Sequence, residues 1–273
     1  MLSFIKFLRE SDEGQSYTVR PKTKSELIKI IKSTIKEKGN NCDLNFIDTS
    51  LITDFNKLFD GCSRFNGDIS KWNTSNVTCM NWTFYKCKFN GDISKWDVSK
   101  VQSMRGMFRN AKFNSDISKW DVHNVEYMSE MFIGSEFNQD ISKWDVSGCI
   151  EMNSMFAFSP FNHDISKWDV SSVENMSSMF SNSDFNTDIS KWNVSKVRRM
   201  SDMFEKSKFN GDISKWDVSN VWDMDYMFAN SKFNQDISKW DVSRVENMTD
   251  VFDKCPIKEE YKPEFKKNYG GWA

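Results

Sequence analysis

The stretch Phe89-Asn90-Gly91-Asp92-Ile93-Ser94-Lys95-Trp96-Asp97-Val98-Ser99 decides the fold. Its opening phrase, Phe-Asn-x-Asp-Ile-Ser-Lys-Trp, returns at Phe65, Phe89, Phe113, Phe137, Phe161, Phe185, Phe209 and Phe233, always 24 residues apart. A unit this short cannot bury its apolar side chains alone, so successive copies must stack into a solenoid. Residues 40–64 form a ninth, degraded copy with one extra residue after Phe59. The array therefore runs over 40–256, flanked by an N-terminal segment (1–39) and a C-terminal cap (257–273). Nine coils at ~4.8 Å each give a stack roughly 43 Å long.

Numbering each copy from its Phe, apolar residues fall at positions 1, 5, 8, 10, 13, 16, 19 and 20. Phe89 and Ile93 share one face of an extended segment. Trp96 breaks that parity, so the chain must bend near Ser94-Lys95. Val101, Met104, Met107 and Phe108 follow Ser99 at a spacing that suits one or two turns of α- or 3-10 helix. Each coil is thus expected to hold a short parallel β-strand, a corner and a short helical turn, and to wind right-handedly. Near-identical copies also invite slipped register, which divergent ends would correct.

The ends fit that role. Thr23-Lys24-Ser25-Glu26 reads as a capping box, Leu27, Ile30, Ile31 and Ile35 form an apolar stripe, and Gly39 supplies a C-cap. These signals predict an α-helical cap over about Lys24–Lys38. Beyond Cys255-Pro256, the tail is expected to lay Tyr261, Phe265, Tyr269 and Trp272 over the last coil. A net charge of −2 gives no sign of a nucleic-acid or anionic-membrane partner. No apolar run is long enough to cross a bilayer.

The string Phe-Asn-x-Asp-Ile-Ser-x-Trp-Asp-Val-Ser-x-Val-x-x-Met-x-x-Met-Phe resembles the BspA-like family of bacterial repeat surface proteins. Its wording is nearest to the branch with repeats of roughly 25 residues found in mycoplasmas, itself a variant of leucine-rich repeats. The resemblance implies a leucine-rich-repeat-like solenoid, surface display, and adhesion or host-protein binding without catalysis. Met1 to Ser16 departs from a secreted pattern, having acidic residues soon after a short apolar start and no lipobox cysteine. The start thus points to the cytoplasm, while the resemblance implies the cell surface.

The position-2 asparagines (Asn66, Asn90, Asn114, Asn138, Asn162, Asn186, Asn210 and Asn234) are expected to form a structural ladder to neighbouring coils. Asp68, Asp92 and their equivalents lie three residues from Lys71, Lys95 and theirs, which suggests a salt-bridge ladder. A calcium ladder built from the same carboxylates is the alternative. The recurring tryptophans (Trp72, Trp96 and onward) fall at an apolar phase and belong to the core, as do Met pairs such as Met104 and Met107. Of the six cysteines, none is at zinc spacing. Cys62 and Cys87 share position 23 and would stack at ~5 Å, within disulfide reach if oxidised, with free thiols expected in a reducing compartment.

His123 and His163 occupy different positions and lack a recurring nucleophile or acid, so no catalytic set and no cofactor are expected. Specificity must lie at positions 14, 15, 17, 18, 21 and 22, which vary most. Trp82, Tyr85, Tyr127, Ile133, Phe158, Trp222 and Tyr226 put large apolar groups there that stacking does not demand. The leading expectation is a non-enzymatic scaffold that binds a protein or glycan through this helical side of the coils. A self-assembling structural array and a calcium-dependent solenoid are the alternatives.

Overall fold

The structure, a computed structural model, describes residues 19–265. It is a tandem-repeat solenoid whose first coil is capped by helix α1 (Lys24–Lys38). The Thr23 hydroxyl accepts from the Glu26 amide, and the Glu26 carboxylate accepts in turn from the Lys22 amide. Gly39, at φ 86°, closes the helix by donating to Ile35. Leu27, Ile30, Ile31 and Thr34 are buried against the first coil, and Ile35 packs at the edge. Ahead of the helix, Val19 pairs with Ile47 through a parallel bridge.

Inside the coils the expected strand and helical turn are both replaced. Among the described residues there is no helix between α1 and the 3-10 turn at Glu259–Tyr261. The parallel ladder touches single residues at position 15, in the order Cys79, Ser103, Tyr127, Glu151, Asn175, Arg199, Asp223 and Asn247. At position 4 such a bridge joins only Asp43 and Asp68 among the described residues.

The backbone explains both differences. At positions 18 and 22 the chain is left-handed in every full copy, with φ of 50° at Trp82, 53° at Lys86, 57° at Gly106 and 54° at Asn110. A left-handed residue every fourth position cannot propagate a right-handed helix. The amides instead split into two sets. Those at 16, 18, 20 and 22 donate to the next coil: Met104 to Tyr127, Gly106 to Ser129, Phe108 to Met131 and Asn110 to Ile133, at 2.8–3.0 Å. Those of Met107, Arg109 and Ala111 close i→i+3 turns within the coil.

The extended segment has its own reason for staying out of a ladder. Asp92 accepts from the Ser94 amide, and Asp97 from the amide and hydroxyl of Ser99, so each aspartate folds an Asx turn at a corner. Trp96 and Val101 then close i→i+3 turns onto Ile93 and Val98.

The core is a set of aromatic files. Position-1 rings lie one above another, as Phe89 and Phe113 do at 6.2 Å, and each meets a position-20 ring, as Phe113 meets Phe108 at 4.0 Å. The tryptophans form a parallel file, with Trp120 and Trp144 6.5 Å apart and 5° from coplanar. Each indole N–H from Trp96 onward donates to the position-5 carbonyl of the coil before it, 3.1 Å for Trp144 to Ile117. At the far end Ile257, Tyr261 and Phe265 pack on the last coil, and Ile237 donates to the Tyr261 carbonyl. Tyr269 and Trp272 lie outside the described residues.

Candidate functional site

The ladder turns one side of every coil, positions 12 to 22, into an outward wall of side chains. A side chain here is exposed or covered according to what stands on the next rung. Trp82 is half-buried, with the Lys57 ammonium 5.5 Å from its ring centroid. Its indole also lies against Gly106, where a Cβ would come within 2.5 Å of the ring. Tyr127 sits beneath the Arg105 guanidinium at 4.7 Å, and Arg105 reaches past it to Glu151 at 3.0 Å. Tyr85, with Lys86 over its ring, and Ile133 are half-buried.

Phe158, Trp222 and Tyr226 are different. They are 59%, 38% and 40% exposed, the largest apolar groups left open on this wall. Leu51, in the degraded first copy, is open as well and carries no repeat signal that marks it out. Phe158 and Tyr226 also occupy left-handed positions, both at φ 55°. Other copies place residues such as Asn110, Asn182 and Asn230 at position 22, and Ser154, Asp202 and Asp250 at position 18. A bulky aromatic there costs ~1–2 kcal/mol of backbone strain besides exposing apolar surface. The seven aromatic and aliphatic candidates thus differ in exposure: four are half-buried and three remain open.

Trp222 edges a cleft of about 950 Å³, whose lining includes Glu174, Arg198, Trp222 and Glu246 at position 14 and Lys196, Asn220 and Arg244 at position 12. Arg198 lies 3.8 Å from Glu174, and Arg244 donates to the Asn220 side chain at 2.7 Å.

The asparagine file runs along another edge. Each Oδ1 accepts from the amide of the following asparagine, beginning with Asn66 to Asn90 at 2.8 Å and ending with Asn210 to Asn234 at 2.8 Å. Asn234 in turn accepts from the Lys258 amide. The position-4 aspartates do not form the expected ion pairs. No ion pair among the described residues joins one to its lysine, because the carboxylate is turned inward onto the amide two residues on. That hydrogen bond holds Asp68, Asp116, Asp140, Asp164, Asp188, Asp212 and Asp236 below the usual carboxylate range, and at Asp92 the Ser94 hydroxyl and amide do the same. Among the described residues no three His, Cys, Asp or Glu side chains gather into a metal-holding group.

These depressed groups carry a pH dependence. Their stabilisation is complete above the unfolded carboxylate pKa of ~3.9 and is lost as pH falls through the lower folded value. Asp202 and Asp223, raised by burial and acidic neighbours, act in the opposite sense. Asp48, Asp97, Asp145 and Asp169 are lowered as well, so twelve groups outnumber the two, and the melting midpoint is expected to hold from pH 7 to 5 and to drop below pH 4. A midpoint that rises on acidification to pH 3 contradicts this.

All six cysteines are free thiols. Burial pushes Cys87 up to about 11 and Cys149 to about 12, which removes thiolate character at neutral pH. The Cys87 thiol donates to the carbonyls of Cys62 and Phe65, filling the corner where serines stand in other copies. His123 contacts Asp121 at 2.6 Å and His163 the Asn138 carbonyl at 3.0 Å, so the two imidazoles share no partner.

Stacked aromatic coils behind the capping helix α1 define a tandem-repeat solenoid protein. The chain belongs to the family described as Mycoplasma protein of unknown function, DUF285, which matches it over residues 29–135, 88–184, 110–207 and 158–268. The overlapping matches reflect the repeat, each spanning about four coils. No curated protein and no solved structure matches the chain.

Proposed function

We propose that this protein is a non-enzymatic scaffold that binds a protein or glycan through the open aromatics of its variable wall. The observation that carries this reading is the placement of Phe158 and Tyr226. At positions that every full copy holds left-handed, each places an exposed ring where other copies place Asn, Ser or Asp, a choice that neither stacking nor solubility rewards. The absence of catalysis is part of the same reading. The position-4 carboxylates are engaged by turns, the histidines stand in separate coils, and the buried thiols are held protonated.

Kinship with the BspA-like branch of leucine-rich repeats, and with it surface adhesion, belongs to this proposal. It is supported by the recurring string from Phe89 to Phe108 and by the asparagine file.

The double variant Phe158→Asn, Tyr226→Ser installs residues that other copies already use at those positions. Wild type and variant are applied to a panel of immobilised extracellular-matrix proteins and of neutral and sulfated glycans. Wild type is expected to be retained by at least one probe and the variant to bind it about tenfold or more weakly. The variant should melt at much the same temperature, since Ser154 and Asn110 already occupy the same left-handed positions in other copies. Retention of both proteins alike, or of neither, overturns the proposal.

A further inference from the structure

We infer that the cleft edged by Trp222 is a subsite for a neutral carbohydrate, with one sugar ring stacked on the indole. This rests on the binding-scaffold reading and names the ligand class for one part of the wall. Position-14 residues stand on consecutive rungs, because Trp222 donates to the Arg198 carbonyl at 3.0 Å and Glu246 to the Trp222 carbonyl at 2.9 Å. Arg198 and Glu246 therefore flank Trp222 on the two neighbouring rungs, ~4.8 Å away along the stack. That spacing is close to the width of a pyranose ring.

The far side of the cleft, at position 12, adds Lys196, Asn220 and Arg244. Three cations and two carboxylates line the same cleft as the indole, and Arg198 is already partnered by Glu174. An anionic ligand gains little from a rim whose own charges are mixed and partly paired. A polyhydroxyl ligand is suited to it, since each hydroxyl both donates and accepts and so can use Arg198 or Arg244 beside Glu246. The ring's apolar face supplies the area, as aromatic platforms with polar rims do in ligand sites generally. An acidic peptide, the competing occupant, would need the two carboxylates to be elsewhere.

Position 14 tolerates Thr78, Gln102 and Ile150 in other copies, so changing Trp222 leaves the stack intact. The test uses the full chain, Trp222→Ala and Trp222→Phe against printed neutral oligosaccharides, with sulfated glycans and acidic peptides on the same surface. The expected result is retention of at least one neutral glycan, weakened about tenfold or more in Trp222→Ala, largely kept in Trp222→Phe, and unchanged between low and high salt. The inference is overturned if no neutral glycan is retained, if Trp222→Ala binds as wild type does, or if only sulfated or acidic probes bind and are released by salt. Should those failures coincide with a matrix protein that still depends on Phe158 and Tyr226, the carbohydrate assignment falls while the scaffold reading stands. Loss of all binding to the panel removes both.

Discussion

Trp144→Ala is expected to lower the unfolding free energy by about 3–5 kcal/mol, the range for deleting a large buried aromatic. The side chain is 3% exposed, lies flat on Trp120 and leans on Phe132 at 6.5 Å. Its N–H donates to the Ile117 carbonyl, so the substitution removes a hydrogen bond as well as packing. Position matters as much as chemistry. Coupling in a solenoid passes only between neighbours, so a hole at the fourth full copy weakens the one connection between two halves of the stack. The same change at Trp240, in the last coil, should cost clearly less and keep a single sharp transition. Denaturant unfolding of both variants checks this. A loss below about 1 kcal/mol at Trp144 would mean that the tryptophan file is not what holds the coils together.

The second large effect is expected at the other end. Leu27 and Ile31 of α1 have no exposed surface, and truncating either to alanine should cost about 2–5 kcal/mol. Together they hold the helix over the first coil, whose Leu44, Ile47 and Ile52 are themselves buried. In the double variant Leu27→Ala, Ile31→Ala the helix should detach and the first coil fray while the middle persists. Hydrogen exchange reads this directly: amides of Leu44, Ile47 and Ile52 lose protection, and those of Met176 and Phe180 keep it. Equal loss across the chain would instead show a single cooperative unit.

The period and the apolar phase were legible because both follow from burial, and burial repeats in the text. The path of the backbone was not. Val101, Met104, Met107 and Phe108 have helical spacing, but successive i→i+3 turns share it, and the alternation of hydrogen bonds between turn and neighbouring coil leaves no apolar trace. The remaining clue was the tolerance of positions 18 and 22 for Gly106, Asn110, Gly134 and Asn182, diluted by Lys57, Lys86 and Trp82 at the same positions. The Asp68 and Lys71 spacing read as an ion pair because charge is visible in a sequence. The turn onto the Ser70 amide, which uses the carboxylate instead, is not.

The candidate wall was legible as a set of free positions, but not as a set of open side chains. Whether an aromatic is covered depends on the residue 21 to 25 positions away that lands beside it. Lys57 covers Trp82, and Arg105 with Glu151 covers Tyr127. Nothing of comparable reach covers Phe158, Trp222 or Tyr226, and that could be read only from the stacked coils.

The ladder described above has the same bonds at the junctions between full copies, Met104 to Tyr127 being repeated as Met128 to Glu151 and again as Met200 to Asp223. Removing or duplicating one 24-residue unit therefore joins two surfaces that already fit. Chain length becomes a heritable variable that can change in whole steps without a new folding problem. Such a step also carries Trp222 and Tyr226 toward or away from Phe158 by one rung. The distance between contact points can in this way evolve separately from the contacts themselves.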